Sequence, residues 1–129
     1  QEKVLLVCDS EQISRVYFNL IKNSIESIHE KYDKNPDFTK KIDIAIINKS
    51  DYIESIITDN GTGFSEKDLK NILKPYFTTK PKGSGLGLSI VNKIINDHNG
   101  TIKFEKQEIG AKIIVKFQKN VDRNINYWW

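Results

Sequence analysis

Twelve residues near the middle of the chain decide its fold: Tyr52-Ile53-Glu54-Ser55-Ile56-Ile57-Thr58-Asp59-Asn60-Gly61-Thr62-Gly63. The isoleucines of Tyr52–Thr58 are typical of a buried strand. A carboxylate at the end of such a strand, here Asp59, can accept a hydrogen bond from an amino group. The glycines at 61 and 63 allow the backbone to approach a flat ligand closely. The same residues also suit an ordinary Asp-Asn-Gly turn, so this stretch alone leaves a ligand site and a plain turn open.

Strand-like runs on either side predict a sheet built largely of hairpins. Lys41–Asn48 is rich in isoleucine and precedes the run Tyr52–Thr58 by a short turn. Thr101–Glu105 and Lys112–Phe117 alternate apolar and polar residues like a second hairpin, with Gly110 in its loop. The apolar run Lys3–Cys8 predicts a further short strand at the start of the chain.

Three segments predict helices. The first begins at Asp9, where Gln12 three residues later suits a capping box, and it continues to about Tyr32. Its apolar stripe consists of Ile13, Val16, Tyr17, Leu20, Ile21, Ile25 and Ile28. Ser65 to about Leu73 predicts a short helix capped by Ser65, and Leu86–His98 predicts a third. Helices interspersed with hairpins indicate an α/β (α+β) two-layer sandwich with a mixed sheet.

Length and composition fit one domain. The chain has 129 residues, within the usual range for a single domain, and we assign residues 1–119 to it and residues 120–129 to a tail. Twenty basic residues against 17 acidic ones give a net charge of +3, and they are interspersed, which disfavours nucleic acid as a partner. No apolar run approaches the roughly 20 residues that span a bilayer. A single Cys8 excludes an internal disulfide and a cysteine metal cage.

Two asparagines on the long helix are candidate metal ligands. Asn19 and Asn23 lie four residues apart and so project from the same helix face, one turn above the other. Carboxamides provide neutral oxygen ligands, which suit Mg²⁺ when phosphates and water complete its coordination. The alternative is a pair of solvated asparagines.

A glycine-rich stretch leads into the last predicted helix: Gly83-Ser84-Gly85-Leu86-Gly87-Leu88. Unpaired N–H groups and the positive end of the helix dipole can hold phosphate there. The preceding stretch, 75–80, is a predicted loop rather than a strand, which excludes a Rossmann unit. The Gly-Lys-Ser/Thr ending of a phosphate-binding P-loop is also missing.

Four motifs in order carry a family resemblance: Asn-x-x-x-Asn, Asp-x-Gly-x-Gly, Phe-Thr-Thr-Lys and Gly-Ser-Gly-Leu-Gly-Leu. They resemble the N, G1, F and G2 boxes of the histidine-kinase ATPase (GHKL) superfamily, which also contains heat-shock chaperones and mismatch-repair ATPases. The chain is most similar to nitrogen-regulation-type sensor kinases, up to about Phe117. The resemblance implies a Bergerat-type mixed sheet covered on one face by about three helices.

The resemblance also implies a role for each motif residue. Asn23 would coordinate Mg²⁺ on the ATP phosphates with Asn19 in support, and Asp59 would bind the adenine amino group in a pocket shaped by Gly61 and Gly63. Lys80 would contact the terminal phosphate, and together with Asn19 it is our catalytic candidate. The remaining predicted nucleotide-binding residues are Phe77, Thr78 and Thr79 of a lid, and Gly83, Ser84, Gly85, Leu86, Gly87 and Leu88 around the phosphates.

Departures from the family pattern refine the chemistry. Superfamily members that hydrolyse ATP commonly place a glutamate where this chain has Asn19, and an amide is a poor base. The resemblance therefore implies phosphoryl transfer to a protein group rather than rapid hydrolysis. Glu26 replaces a basic residue of some kinases, which argues against a phosphate contact from that turn. Ser84 stands for the commoner threonine and should be nearly equivalent.

The phosphate acceptor is expected on another domain. The chain has two histidines, His29 and His98, and neither lies in the family's acceptor pattern. We therefore expect transfer to a histidine on a separate dimerisation and phosphoacceptor domain of the parent protein, with a response regulator downstream. The expected setting is the cytoplasmic portion of a membrane-bound bacterial sensor, with no membrane contact by this chain. The alternatives are an anti-sigma-factor-type serine kinase and an ATP-binding module without catalysis.

Overall fold

The computed structural model describes residues 3–74 and 87–119, which form three helices and four strands. In chain order these are α1 Ser10–Lys34, β1 Ile42–Asn48, β2 Tyr52–Asp59, α2 Glu66–Asn71, α3 Gly87–Asp97, β3 Gly100–Lys106 and β4 Ala111–Gln118. Each predicted helix is present, as are the strand-like runs from Lys41 onward, with ends shifted by one or two residues. The predicted α/β two-layer class is confirmed.

The helix starts follow from capping side chains. The Asp9 carboxylate accepts a hydrogen bond from the Gln12 N–H at 3.1 Å, as predicted. The capping box expected there is only half formed, because the Asp9 N–H donates to His98 Nε2 instead. At α2 the box is complete, with Ser65 and Asp68 each accepting from the backbone N–H of the other.

The sheet order is β1-β2-β4-β3, and every pairing among the described strands is antiparallel. The mixed sheet predicted from the sequence is therefore wrong for this part of the chain. The predicted strand Lys3–Cys8 is also wrong, because this segment is irregular in the structure. Leu5 of this segment is 76% exposed and only Leu6 packs against the core. An apolar run predicts that its side chains are buried, but it does not predict strand pairing. Here Leu6 packs against the core, while the backbone of the segment does not pair with an edge of the sheet.

Helices α1 and α3 cover one face of the sheet and form the core with it. Side chains of β2 alternate between half-buried and buried, as expected for a strand with one covered face. The fully or almost fully buried core residues are Val16, Leu20, Val91 and Ile95 from the helices, and Ile57, Val115 and Phe117 from the sheet. The core thus holds α1 directly over the sheet.

The helix layer stops short of β1. Ile44 lies opposite Ile57 in the β1–β2 ladder, so both side chains point to the covered face. Ile57 is only 1% exposed, whereas Ile44 is 52% exposed. Helix α1 therefore lies over the sheet centre rather than its edge, and its C-terminal half meets the end of β2 where Asp59 lies.

Candidate functional site

Asp59 is the last residue of β2, and its side chain shares the covered face with Ile57 and Ser55. It is 7% exposed. Its Oδ1 accepts a hydrogen bond from the Gly61 N–H at 2.9 Å. Within the described residues no other donor reaches this carboxylate. A buried carboxylate requires hydrogen bonds. The Gly61 N–H occupies only Oδ1, so Oδ2 is available to accept a hydrogen bond from a ligand.

The two glycines of the turn after Asp59 are required by packing. A Cβ on Gly61 would overlap Ser27 Oγ and lie 2.8 Å from the Ser27 carbonyl carbon in α1. Gly63 has φ +73°, and a Cβ there would lie 2.6 Å from the Gly110 carbonyl oxygen. The turn therefore touches α1 on one side and the β3–β4 loop on the other. The predicted contact of these glycines with a ligand stays a prediction.

Gly110 belongs to this corner, although the sequence predicted it only as a loop residue. It has φ +83°, and a Cβ on it would overlap the Asp59 carbonyl oxygen and lie 2.7 Å from the Asp59 carbonyl carbon. Its loop therefore packs directly on the backbone of the candidate binding residue. No local pattern predicts this, because the two residues are far apart in the chain and meet only through the β2–β4 pairing.

A polar stripe runs along α1 at four-residue intervals: Asn19, Asn23, Ser27 and Lys31. Ser27 Oγ accepts from the Thr62 N–H at 2.9 Å and forms a hydrogen bond with Thr62 Oγ1, also at 2.9 Å. Lys31 Nζ donates to the Asn60 carbonyl oxygen at 3.1 Å. Ser27 and Lys31 of the stripe therefore bind the turn to α1 through hydrogen bonds. Ser27 and Lys31 were not predicted as site residues, although the four-residue spacing of Asn19 and Asn23 continues to them in the sequence.

Asn60 ties the turn to the chain that leads into β1. Its Oδ1 accepts from the Lys41 N–H at 2.9 Å, and its side-chain amide donates to the Thr39 carbonyl oxygen. Its own N–H donates to the Lys41 carbonyl oxygen at 3.2 Å. Together with the Lys31 bond, these bonds hold the turn from two sides, so the residues that follow Asp59 are anchored to α1 and to the chain before β1.

The predicted phosphate-binding stretch lies mainly outside the described residues. This applies to Phe77, Thr78, Thr79 and Lys80, and to Gly83, Ser84, Gly85 and Leu86. Gly87 is the first residue of α3, and a Cβ on it would meet nothing within 4 Å. The Leu88 side chain packs against the core cluster, so its described contacts are structural.

Asn19 and Asn23 are half-buried on the stripe, two turns and one turn before Ser27, respectively. In the described ranges, no group of three histidine, cysteine, aspartate or glutamate side chains could hold a metal ion. A metal at this corner would therefore depend on the carboxamides and on oxygens of a bound ligand. None of the helices in residues 3–74 and 87–119 is long and apolar enough to cross a membrane.

Two surface clefts lie between helices and strands of the described residues. One, of about 520 Å³, runs between α2 and β3 with Ile72, Leu73 and Phe104 in its lining. The other, of about 270 Å³, runs between α1 and β1 and is lined in part by Ile25 and Ile42. Neither is lined by Asp59, Asn19 or Asn23, although the second includes Lys41, which is hydrogen-bonded to Asn60 of the turn. The candidate site is therefore defined by the Asp59 carboxylate and the polar stripe of α1 rather than by a cleft.

Fold and site together define a two-layer α/β domain in which a buried carboxylate precedes a turn that is hydrogen-bonded to a polar helix stripe. Comparison with known sequences identifies its family. Residues 8–121 match the family described as histidine kinase-, DNA gyrase B-, and HSP90-like ATPase, and the chain belongs to this family.

Its relatives within the family include sensor kinases. A putative NtrY-like sensor histidine kinase of Rickettsia conorii is 38% identical over 117 residues, which cover 90% of this chain and 18% of the relative. Sporulation kinase A of Bacillus subtilis is 34% identical over 120 residues, which cover 92% of this chain and 18% of that protein. The chain thus spans less than a fifth of these relatives.

Solved structures of histidine kinases have a similar fold. The catalytic domain of histidine kinase ThkA superposes with a TM-score of 0.72 at 34% identity, over 87% of this chain and 69% of that one. A mycobacterial sensor histidine kinase, MprB, shares the fold with a TM-score of 0.70 at 22% identity, over 85% of this chain and 72% of that one. The chain therefore corresponds to the catalytic, ATP-binding domain of histidine kinases.

Proposed function

We propose that this chain binds Mg-ATP and transfers the γ-phosphoryl group to a histidine on a separate dimerisation and phosphoacceptor domain of its parent sensor kinase. One observation carries the proposal. The buried Asp59 carboxylate is fixed through Oδ1 by the Gly61 N–H, on a turn that is hydrogen-bonded to the helix bearing Asn19 and Asn23. The carboxylate and the carboxamides therefore lie on two elements that contact each other directly, which supports a nucleotide bound across both.

Asp59 is our adenine-binding residue. Its Oδ1 is occupied by the turn, so Oδ2 accepts from the adenine amino group. A hydrogen bond to a charged acceptor contributes about 1.5–3 kcal/mol. Burial of the carboxylate excludes competing water, which favours a ligand that supplies a donor in this position.

Asn23 is our metal-binding residue, with Asn19 one turn before it. Bound Mg²⁺ would neutralise phosphate charge during transfer. The donor set fits this ion, because Mg²⁺ prefers oxygen and receives its negative charge from the phosphates. Asn19 has no basic atom to activate water, so the corner favours transfer to a protein group over hydrolysis.

The packing of the two long helices supports a phosphate site close to these asparagines. The Asp9–His98 hydrogen bond joins the start of α1 to the end of α3, and the two helices share the core. The 11 residues of α3 rise about 16 Å. The same distance, measured along α1 from Asp9 towards the C-terminal end of the helix, ends near Asn19 and Asn23. The helix start at Gly87, and the glycines before it with Lys80, are our phosphate-binding elements.

In the proposed reaction the acceptor imidazole nitrogen forms a bond to the γ-phosphorus while the bond from that phosphorus to the β,γ-bridging oxygen breaks. ADP then leaves, and the phosphorylated imidazole, which is cationic at first, releases its remaining N–H proton to water. A response regulator would next accept the phosphoryl group. Because its substrate is ATP, we propose a cytoplasmic position for the domain.

A transfer assay tests the proposal. The purified chain is mixed with the phosphoacceptor domain of its parent and γ-labelled ATP, with Mg²⁺ or with a chelator. We expect label on that domain only with Mg²⁺, and none when its histidine is replaced by glutamine. Binding without transfer would favour a binding module, and label on a serine of a separate target would favour the anti-sigma-factor type. Absence of Mg-ATP binding would contradict all three.

A further inference from the structure

Ser27 joins the helix of the carboxamides to the turn of the carboxylate. Its Oγ accepts from the Thr62 N–H and pairs with Thr62 Oγ1, both at 2.9 Å. We propose that Ser27 is a positioning residue that sets the distance between the metal-binding and adenine-binding halves of the site. The inference rests on the proposed function.

The position of Ser27 relative to the two halves is the first argument. Ser27 lies one helical turn after Asn23 on the same face of α1. Thr62 lies three residues after Asp59, in the turn whose Gly61 N–H fixes that carboxylate. A nucleotide held at both ends spans this junction, so a shift between helix and turn changes the fit of the whole ligand.

The close packing of Ser27 against the turn also supports its positioning role. A Cβ on Gly61 would overlap Ser27 Oγ, so helix and turn are already as close as a glycine permits. The Ser27 hydroxyl fills this gap and uses its acceptor capacity on the Thr62 backbone. An alanine there leaves the Thr62 N–H without its partner and lets the turn move away from the helix.

A second hydroxyl contact of α1, made with β2 instead of the turn, separates positioning from general stability. Tyr17 Oη of α1 and Ser55 Oγ of β2 form a hydrogen bond at 2.7 Å. Ser55 is buried in the core and lies four residues before Asp59, a separation of about 13 Å along an extended strand. Ser55→Ala therefore removes a comparable link between α1 and β2 without touching the turn, and it is a matched control.

The experiment compares ligands that occupy one half of the site or both. Adenosine contacts only the adenine half, whereas Mg-ATP spans both halves. We expect Ser27→Ala to weaken Mg-ATP binding about tenfold and adenosine binding less than about twofold, as two lost hydrogen bonds predict. Thr62→Val should have an intermediate effect because its N–H remains, and Thr62→Ser should restore binding. Ser55→Ala should lower the melting temperature and leave both affinities unchanged.

Each other outcome has a defined meaning. Equal weakening of adenosine and Mg-ATP, or Ser27→Ala binding like the wild type, overturns the positioning role and leaves the proposed function intact. If Ser27→Ala does not fold, the comparison of Thr62→Val with Thr62→Ser decides, and equal affinities of those two variants overturn the inference. A wild-type chain that fails to bind Mg-ATP overturns both proposals.

Discussion

The Asp59 Oδ1 accepts the Gly61 N–H at 2.9 Å, so the carboxylate is oriented by the turn that follows it. The bond fixes one oxygen and leaves the other for a ligand. It also couples the two residues mechanically, because any movement of the turn rotates the carboxylate. Hydrogen bonds to Ser27, Lys31 and Lys41 hold that turn in place.

Asp59→Asn is expected to weaken ATP binding. The asparagine oxygen can still accept from the Gly61 N–H, which leaves its NH₂ group facing the adenine amino group. Two donors then face each other, and the charge-assisted bond is lost. A loss of about 10- to 100-fold in affinity follows, measured by isothermal titration calorimetry.

The melting temperature is the control for this variant. Because the Gly61 bond survives, Asp59→Asn should unfold within a few degrees of the wild type. Wild-type affinity for ATP in a folded Asp59→Asn variant would rule out this carboxylate as the adenine-binding group.

Asn23→Ala tests the metal-binding half. We expect it to remove most of the gain in ATP affinity that Mg²⁺ produces, because the oxygen ligand is lost while Asp59 remains. The measurement is ATP titration in Mg²⁺ and in chelator. Asn96→Ala changes an exposed asparagine on α3 and should retain the Mg²⁺ effect. The same Mg²⁺ effect in both variants would exclude Asn23 as a ligand.

Local patterns predicted much of the fold. Asp9 and Ser65 mark helix starts through side chains that reach only three residues ahead, and the apolar stripe of α1 follows from helix periodicity. The order of the Asn, Asp-Gly and Gly motifs indicated the family. Each cap and each motif lies within a few consecutive residues, so it can be recognised in the sequence without knowledge of the fold.

Contacts between distant residues could not be predicted in this way. The Ser27–Thr62 bonds join residues 35 positions apart, and the Asp9–His98 bond joins residues 89 apart. Gly110 reaches Asp59 only because β4 pairs with β2. The predicted strand Lys3–Cys8 failed for the same reason, since strand pairing needs a partner edge that composition does not specify.

Gly110→Ala is expected to destabilise the fold and displace Asp59. The residue has φ +83°, and its Cβ would overlap the Asp59 carbonyl oxygen. Left-handed strain and overpacking each cost about 1–3 kcal/mol, so the free energy of unfolding in urea should fall by at least about 2 kcal/mol. Gly87→Ala is the control for stability, since a Cβ there meets nothing within 4 Å. Equal stability of the two variants would contradict the close packing at Gly110.

Tyr17→Phe tests a pH dependence in the core. Burial raises the pKa of Tyr17 above its usual value; its hydrogen bond with Ser55 lowers that pKa, and the nearby Cys8 raises it. Because the net shift is upward, the folded state holds the phenolic proton longer than the unfolded state does. The stabilisation is complete below about pH 10 and is lost as pH rises through the folded-state pKa.

The measurement is the free energy of unfolding of both proteins from neutral pH to about pH 11. At neutral pH the phenylalanine variant should be less stable by about 1 kcal/mol, because the 2.7 Å bond to Ser55 is gone. That deficit should shrink as the wild-type tyrosine ionises, since lysine titration affects both proteins alike. Ser55→Ala keeps the phenol and should retain the alkaline loss, whereas parallel curves for wild type and Tyr17→Phe would show that Tyr17 ionises equally in both states.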